Sequence, residues 1–159
     1  MNFRAASAVA RRVLMVSGVS LAACVPVDGG AVELAWSVRD SSGRSAACER
    51  TSTAPAFNDA LGEVSLCARA CTVMVDGACV GDETCPIETW DCDRGRGTTR
   101  FEVTAGRKEL WIRVTCRDGS AANVVLPEAI VRDIADGEVT QLNAILITVP
   151  ATTAACSSI

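Results

Sequence analysis

The chain has 159 residues, with 15 basic and 19 acidic side chains, a formal net charge of −4, nine cysteines and no histidine. This length fits one domain with a real core. The missing histidine excludes Ser-His-Asp and Cys-His catalytic sites and histidine-ligated metals, and the acidity argues against nucleic acid as a partner, because phosphate contacts need clustered Lys and Arg.

The first 23 residues have the parts of a secretory signal peptide. Three arginines, Arg4, Arg11 and Arg12, precede an apolar run at 13–21, and no acidic residue occurs before Asp28. The run is much shorter than the ~20 residues that a membrane-spanning helix needs. A cleaved export signal is therefore predicted.

The end of this segment, Leu21-Ala22-Ala23-Cys24, resembles the lipobox of bacterial lipoproteins. The resemblance implies diacylglycerol on the Cys24 sulfur, cleavage before Cys24 and acylation of the freed amine. The alternative is ordinary secretory cleavage, with Cys24 in a disulfide. In many Gram-negative lipoproteins an aspartate directly after the modified cysteine favours inner-membrane retention. Val25 occupies that position here, so the resemblance implies the outer membrane of the cell envelope.

Three segments follow from this interpretation: a signal peptide at 1–23, a short lipidated tether at 24–30 and one domain at 31–159. The tether is so short that the domain is expected close to the membrane surface. Cleavage would remove three arginines and leave 12 basic against 19 acidic residues.

The cysteine count supports lipid on Cys24, because nine cysteines would leave one unpaired in an exported protein. The other eight form an even set and are disulfide candidates in an oxidising compartment. Roughly a hundred pairings of eight cysteines exist, and the sequence does not choose among them. No C-x2-C pair is present, so a thiolate metal site is not predicted. The eight are Cys48, Cys67, Cys71, Cys79, Cys85, Cys92, Cys116 and Cys156.

The first half of the domain holds one clear strand and one ambiguous segment. Apolar and polar residues alternate over Ala31–Val38, which predicts a half-buried strand. Residues 39–59 read as a long loop. The segment Glu63–Val75 fits either a helix or a strand that leads into a turn at Asp76-Gly77. In a strand, Cys67 and Cys71 would lie ~13 Å apart and each would need a different partner.

The second half is predicted to be β. A hairpin is expected from Thr98–Val103 and Lys108–Cys116 around Ala105-Gly106. Two short strands, Asn123–Leu126 and Ala129–Ile134, are predicted around Pro127, and a turn at Asp136-Gly137 leads into Glu138–Val149. The run Ala144–Ile147 is apolar on both faces, which is typical of a central strand.

The predicted fold is therefore an all-β, disulfide-rich antiparallel β-sandwich, immunoglobulin-like or prealbumin-like. The layout from Trp36 through Thr89-Trp90-Asp91-Cys92 and Leu110-Trp111-Ile112 to Cys116 also resembles uncharacterised cysteine-rich bacterial lipoproteins. That resemblance implies no known activity.

The most distinctive part of the domain is residues 76–93, which contain six acidic residues, three cysteines and no basic residue. We interpret it as an acidic loop pinned by disulfides, either simply solvated or binding Ca²⁺ or a sugar. The basic stretch 94–117 is expected to pair with it on the surface, or else to face anionic headgroups. The candidate binding residues are Asp76, Asp82, Glu83, Glu88, Trp90 and Asp91.

The predicted function is a non-enzymatic envelope lipoprotein that acts as an interaction or structural module. Its expected partners are the membrane, through the lipid, and an envelope protein or glycan. No catalytic residue, metal or cofactor is predicted. The alternatives are a sugar- or Ca²⁺-binding module and a carboxylate-based hydrolase.

Overall fold

The computed structural model describes residues 27–45, 48, 61–151 and 155–156. The predicted signal peptide, Cys24 and most of the loop predicted over 39–59 lie outside these residues. Within them, no helix is long and apolar enough to cross a membrane.

The described chain forms ten strands and one short 3-10 turn at Cys92–Arg94. The strands are β1 Ala31–Asp40, β2 Leu61–Ala70, β3 Val73–Val75, β4 Ala78–Val80, β5 Glu83–Asp91, β6 Arg96–Thr98, β7 Gly106–Cys116, β8 Ile130–Ile134, β9 Val139–Gln141 and β10 Ile145–Val149.

The first sheet is built around β1. Strand β6 pairs antiparallel with one edge of β1, while β9 and β10 follow each other along the other edge in parallel. The predicted central strand at 144–147 is therefore wrong. Strand β10 pairs with β1 and makes one further bridge through Val125, and Leu146 is 47% exposed. Its apolar character on both faces does not reflect burial on both faces.

The second sheet is antiparallel, in the order β5-β2-β7-β8. The ambiguous segment is a strand up to Ala70, and Val73–Val75 begins a second strand after a break. Strand β2 is central, with β5 and β7 on its two sides. Cys67 and Cys71 have different disulfide partners, as the strand interpretation requires.

The predicted hairpin of 98–103 and 108–116 is wrong. Strand β6 ends at Thr98 and pairs with β1, whereas β7 pairs with β2 and β8 in the other sheet. The intervening residues carry the chain from one sheet to the other and make one bridge, between Val103 and Gly30. The predicted strand at 123–126 likewise forms only the bridge at Val125.

The two sheets enclose one core, so the predicted all-β, disulfide-rich sandwich is confirmed. The second sheet is antiparallel as predicted, whereas the first also contains the parallel pairings of β1 with β9 and β10. Alternate residues of β1 pack against alternate residues of β2 and β7, and the period of two places them on the inner faces. In an immunoglobulin constant domain the first two strands share a sheet. Here β1 and β2 lie in different sheets, so the strand order differs from that of an immunoglobulin constant domain.

All eight candidate cysteines are joined in four disulfides. The pairs are Cys48–Cys92, Cys67–Cys85, Cys71–Cys79 and Cys116–Cys156. Cys67–Cys85 links the neighbouring strands β2 and β5. Cys116–Cys156 ties the C-terminal tail to the end of β7, and Cys71–Cys79 closes the base of the β3–β4 hairpin.

Candidate functional site

The acidic segment 76–93 is not one loop. It contains the turn and second strand of the β3–β4 hairpin, the edge strand β5 and the start of the 3-10 turn. The expectation that disulfides hold it is confirmed, since Cys79, Cys85 and Cys92 are each bonded to a different part of the chain. The prediction that the segment is a single loop is wrong, because most of its residues are paired in strands.

This strand geometry disperses the carboxylates. Asp76 lies at the exposed hairpin turn with φ 49°, and Asp82 is exposed between β4 and β5. Glu83 accepts a 2.9 Å hydrogen bond from Arg69, and Glu88 accepts one of 3.2 Å from the Arg100 backbone amide. No group of three or more acidic or cysteine side chains within the described ranges could hold a metal ion.

Trp90 is a core residue and not a surface anchor. It is 5% exposed, and its ring centroid lies 6.0 Å from that of Trp36 on the opposite sheet. A carbon atom added at Gly97 would come within 2.4 Å of the Trp90 ring. A ligand that stacked on the Trp90 face would therefore have to displace the core.

The outward face of the second sheet is organised around Arg69. Its guanidinium donates to Glu83 on β5 and Glu109 on β7, both at 2.9 Å, and lies 5.4 Å from the Trp111 ring centroid. The hydrogen bond to Glu83, together with the nearby charge of Glu109, raises the pKa of Arg69. The arrangement ties three strands together across their exposed face, which is a structural role.

The acidic segment and the basic stretch 94–117 do not form ion pairs with each other in the part of the chain that the structure describes. The cation that meets Glu83 is Arg69, which comes from outside the basic stretch. Lys108, the one lysine of the chain, donates to the Thr104 hydroxyl at 2.8 Å. The expected mutual pairing of the two segments is therefore wrong.

One concave pocket of about 420 Å³ lies at the end of the sandwich where β2 begins and β5 and β7 end. The Cys48–Cys92 bridge contributes to its wall, and Cys116 lines it beside Arg117. Three carboxylates also line it, and each belongs to an exposed residue: Glu63, Asp91 and Asp93. We call this pocket the distal pocket. It brings Asp91 together with residues that the sequence did not single out for a site.

A second concavity of about 630 Å³ lies beside the edge strand β6. Its lining includes Glu33, Trp90, Arg94 and Arg96. The two arginines are exposed. The sequence placed both in a basic stretch but gave no sign that they lie together with Glu33, because β1 and β6 are far apart along the chain.

The structure also shows an exposed apolar hairpin that was not predicted as a surface from the sequence. Strands β3 and β4 consist entirely of apolar residues and cysteine, and their large side chains are about half exposed. The sequence does carry a signal for this hairpin. Two short runs, Val73-Met74-Val75 and Ala78-Cys79-Val80, flank a tight Asp-Gly turn. Neither run shows the alternation of apolar and polar residues that is typical of a hairpin with one buried face.

No protein-family model matches the chain, and no curated protein or solved structure is significantly similar to it.

Proposed function

We propose that this chain is an exported lipoprotein, anchored by lipid on Cys24, whose sandwich is a non-enzymatic interaction module in the cell envelope. The observation that carries the proposal is the pairing of cysteines. Four disulfides use all eight other cysteines and leave Cys24 as the ninth. Disulfides are typical of oxidising compartments outside the cytoplasm, and a lipobox cysteine is the one that lipid would occupy.

The point at which the chain enters the sandwich, at Gly29, supports the same proposal. Gly29 is held to the sandwich by a 2.8 Å hydrogen bond from its amide to Asp136, only five residues after Cys24. A lipid on Cys24 would therefore hold one end of the domain near the bilayer. By the lipobox resemblance the membrane is the outer membrane, and the distal pocket at the opposite end faces away from it.

The test is an intact mass of the mature protein before and after reduction. Lipid on Cys24 predicts a chain that begins at Cys24 and carries three acyl chains. Reduction should then add two hydrogens for each of four bridges. A mature chain without lipid, or with fewer bridges because Cys24 competes for a partner, would contradict the proposal.

The distal pocket favours one second candidate, a module that binds or hydrolyses a polar ligand such as a glycan. Three carboxylates and Arg117 line one concavity, which meets the first requirement of a carboxylate-based hydrolase. However, all three carboxylates are exposed, whereas the acid of such a pair is normally set in a desolvated environment. Binding is therefore favoured over hydrolysis.

A thermal-shift titration with a glycan panel and with Ca²⁺ tests this second candidate. A stabilisation that Asp91→Asn abolishes, and that Asp82→Asn leaves intact, would assign the ligand to the distal pocket. Asp82 is the matched control because it is an exposed aspartate outside the pocket. No response to any ligand would remove the candidate.

A further inference from the structure

The β3–β4 hairpin is an apolar element that is not packed into the core. Its exposed fractions are 58% for Val73, 51% for Val75 and 49% for Val80. Val73 lies opposite Val80, and Val75 lies opposite Ala78. All four side chains share one face of the hairpin, because side chains two residues apart along a strand point the same way. The hairpin thus has one face made only of small apolar side chains.

The hairpin is held firmly at its base. Cys71 is bonded to Cys79, and the Thr72 hydroxyl donates to the Val80 carbonyl. The Cys71 amide donates to the Arg107 carbonyl at 2.9 Å, which attaches the base to the start of β7. The apolar face is therefore presented in a fixed direction.

The hairpin and the tether lie at the same end of the sandwich. A carbon atom added at Gly30 would lie 2.6 Å from the Ile134 side chain. Ile134 pairs with Gly106 on β7. The residue after Gly106 is Arg107, whose carbonyl accepts the hydrogen bond from the Cys71 amide. The entry of the chain is thus connected to the hairpin base across the ends of β8 and β7.

Most of the exposed large apolar side chains of the described residues lie at this end. Val27 and Phe101 flank the chain entry, and Val139 pairs with Ala31 at the start of β1. Val125 and Leu146 lie toward the other end, beside the second half of β1. Monomeric proteins rarely group exposed apolar side chains in this way without an interaction.

The tether limits what can cover this end. Gly29 is five positions after Cys24, so a lipid-bearing Cys24 lies at most about 18 Å from Gly29 when the chain is fully extended. We infer that the valine face of the β3–β4 hairpin, Val73, Val75 and Val80, is a second membrane contact that rests on the lipid surface beside the anchor. The inference deepens the proposed function and rests on the lipid at Cys24.

The contact is shallow. Asp76 lies at the hairpin turn, and a carboxylate is costly in the hydrocarbon region. The hairpin therefore lies along the boundary between headgroups and acyl chains, with Asp76 in the headgroup layer. Arg107 is exposed at the same end and lies opposite the exposed Asp133 of β8, so the contact rests on the apolar side chains and not on a net positive charge.

The experiment uses the mature lipidated protein in liposomes whose acyl chains carry bromine, which quenches tryptophan at short range. Single variants Val75→Trp and Val80→Trp report on the valine face. Met74→Trp is on the opposite face of the same hairpin, and Leu146→Trp is exposed toward the other end. The emission of the parent protein, which contains the three native tryptophans, is measured separately and subtracted from that of each variant. Circular dichroism checks the fold of each variant.

The expected result is strong quenching and a blue shift at positions 75 and 80, weaker quenching at 74 and none at 146. Equal signals at all four positions, or none at 75 and 80, would overturn the inference and point to a protein partner for the hairpin. Flotation and intact mass are measured on the same samples. A lipidated, floating protein without quenching overturns the hairpin contact alone, whereas a mature chain without lipid overturns the proposed function and the inference with it.

Discussion

The indole of Trp36 on β1 lies against that of Trp90 on β5, with ring centroids 6.0 Å apart and planes tilted by 35°. The Trp36 indole N–H also donates a 2.8 Å hydrogen bond to the Cys92 carbonyl, and Cys92 is bridged to Cys48. One side chain therefore joins the two sheets and the disulfide that holds the 3-10 turn.

Trp36→Phe should lower the free energy of unfolding. The substitution keeps most of the apolar contact but leaves the Cys92 carbonyl without its donor, and an unsatisfied buried group typically costs about 1–3 kcal/mol. Urea unfolding followed by circular dichroism measures the change. Trp111→Phe is the control, because Trp111 is only partly buried. Equal losses in the two variants would contradict the role assigned to the hydrogen bond.

Gly97→Ala should destabilise the sandwich through the same aromatic pair. The added methyl would lie 2.4 Å from the Trp90 ring, and overpacking of this kind typically costs about 1–3 kcal/mol. Thr98→Ala, at the exposed neighbouring position of β6, should change stability little. Thermal unfolding of the two variants gives the comparison. An unchanged melting temperature for Gly97→Ala would show that Trp90 moves aside freely.

The disulfides should differ in their contribution to stability according to the loop that each closes. Cys48–Cys92 spans 44 residues and Cys71–Cys79 spans 8. Loop-closure entropy predicts about 4 kcal/mol for the first and about 2.5 kcal/mol for the second. Replacing each pair with serines, followed by urea unfolding, tests the order. The reverse order would show that native contacts outweigh chain entropy here.

Cys24→Ser should yield an uncut precursor that carries no lipid, because the lipobox cleavage depends on the modified thiol. The size of the expressed chain and incorporation of labelled fatty acid measure this outcome. Cys71→Ser/Cys79→Ser is the control and should still be cleaved and lipidated. A normal mature protein from Cys24→Ser would refute the anchoring proposal.

Asp40 should titrate well below an ordinary aspartate. The Ser42 hydroxyl, with further hydrogen bonds from Arg44 and the Ser42 amide, lowers the pKa of Asp40 from 3.8 to about 2. Because the folded-state pKa is depressed, the stability that this turn contributes is present above pH ~4 and is lost as the pH falls through the folded pKa.

An NMR titration of the Asp40 carboxyl measures this value directly, and Ser42→Ala should move it back toward 3.8. Asp118 offers a parallel case, since the Ser120 hydroxyl lowers its pKa in the same way. An Asp40 that titrates near 3.8 in the unmodified protein would contradict the hydrogen-bonded turn.

Several local features could be predicted from the sequence. Alternation in β1 placed Val32, Leu34, Trp36 and Val38 inside, because the pleat of a strand alone decides which residues share a face. The Asp76-Gly77 and Asp136-Gly137 turns followed from the backbone preferences of their residues. The parity of the cysteines indicated four bridges with one cysteine left over. All of these depend on neighbours along the chain or on counting.

The tertiary structure decided which strands meet. Thr98 and Lys108 flank a glycine turn as a hairpin would, yet their strands belong to different sheets. Trp90 lies in an acidic stretch, and only the facing sheet with Trp36 makes it a core residue. The same holds for the distal pocket, where Glu63, Asp91 and Arg117 come from three strand ends. Long-range packing sets these relationships, and a local pattern carries no information about a partner that lies dozens of residues away.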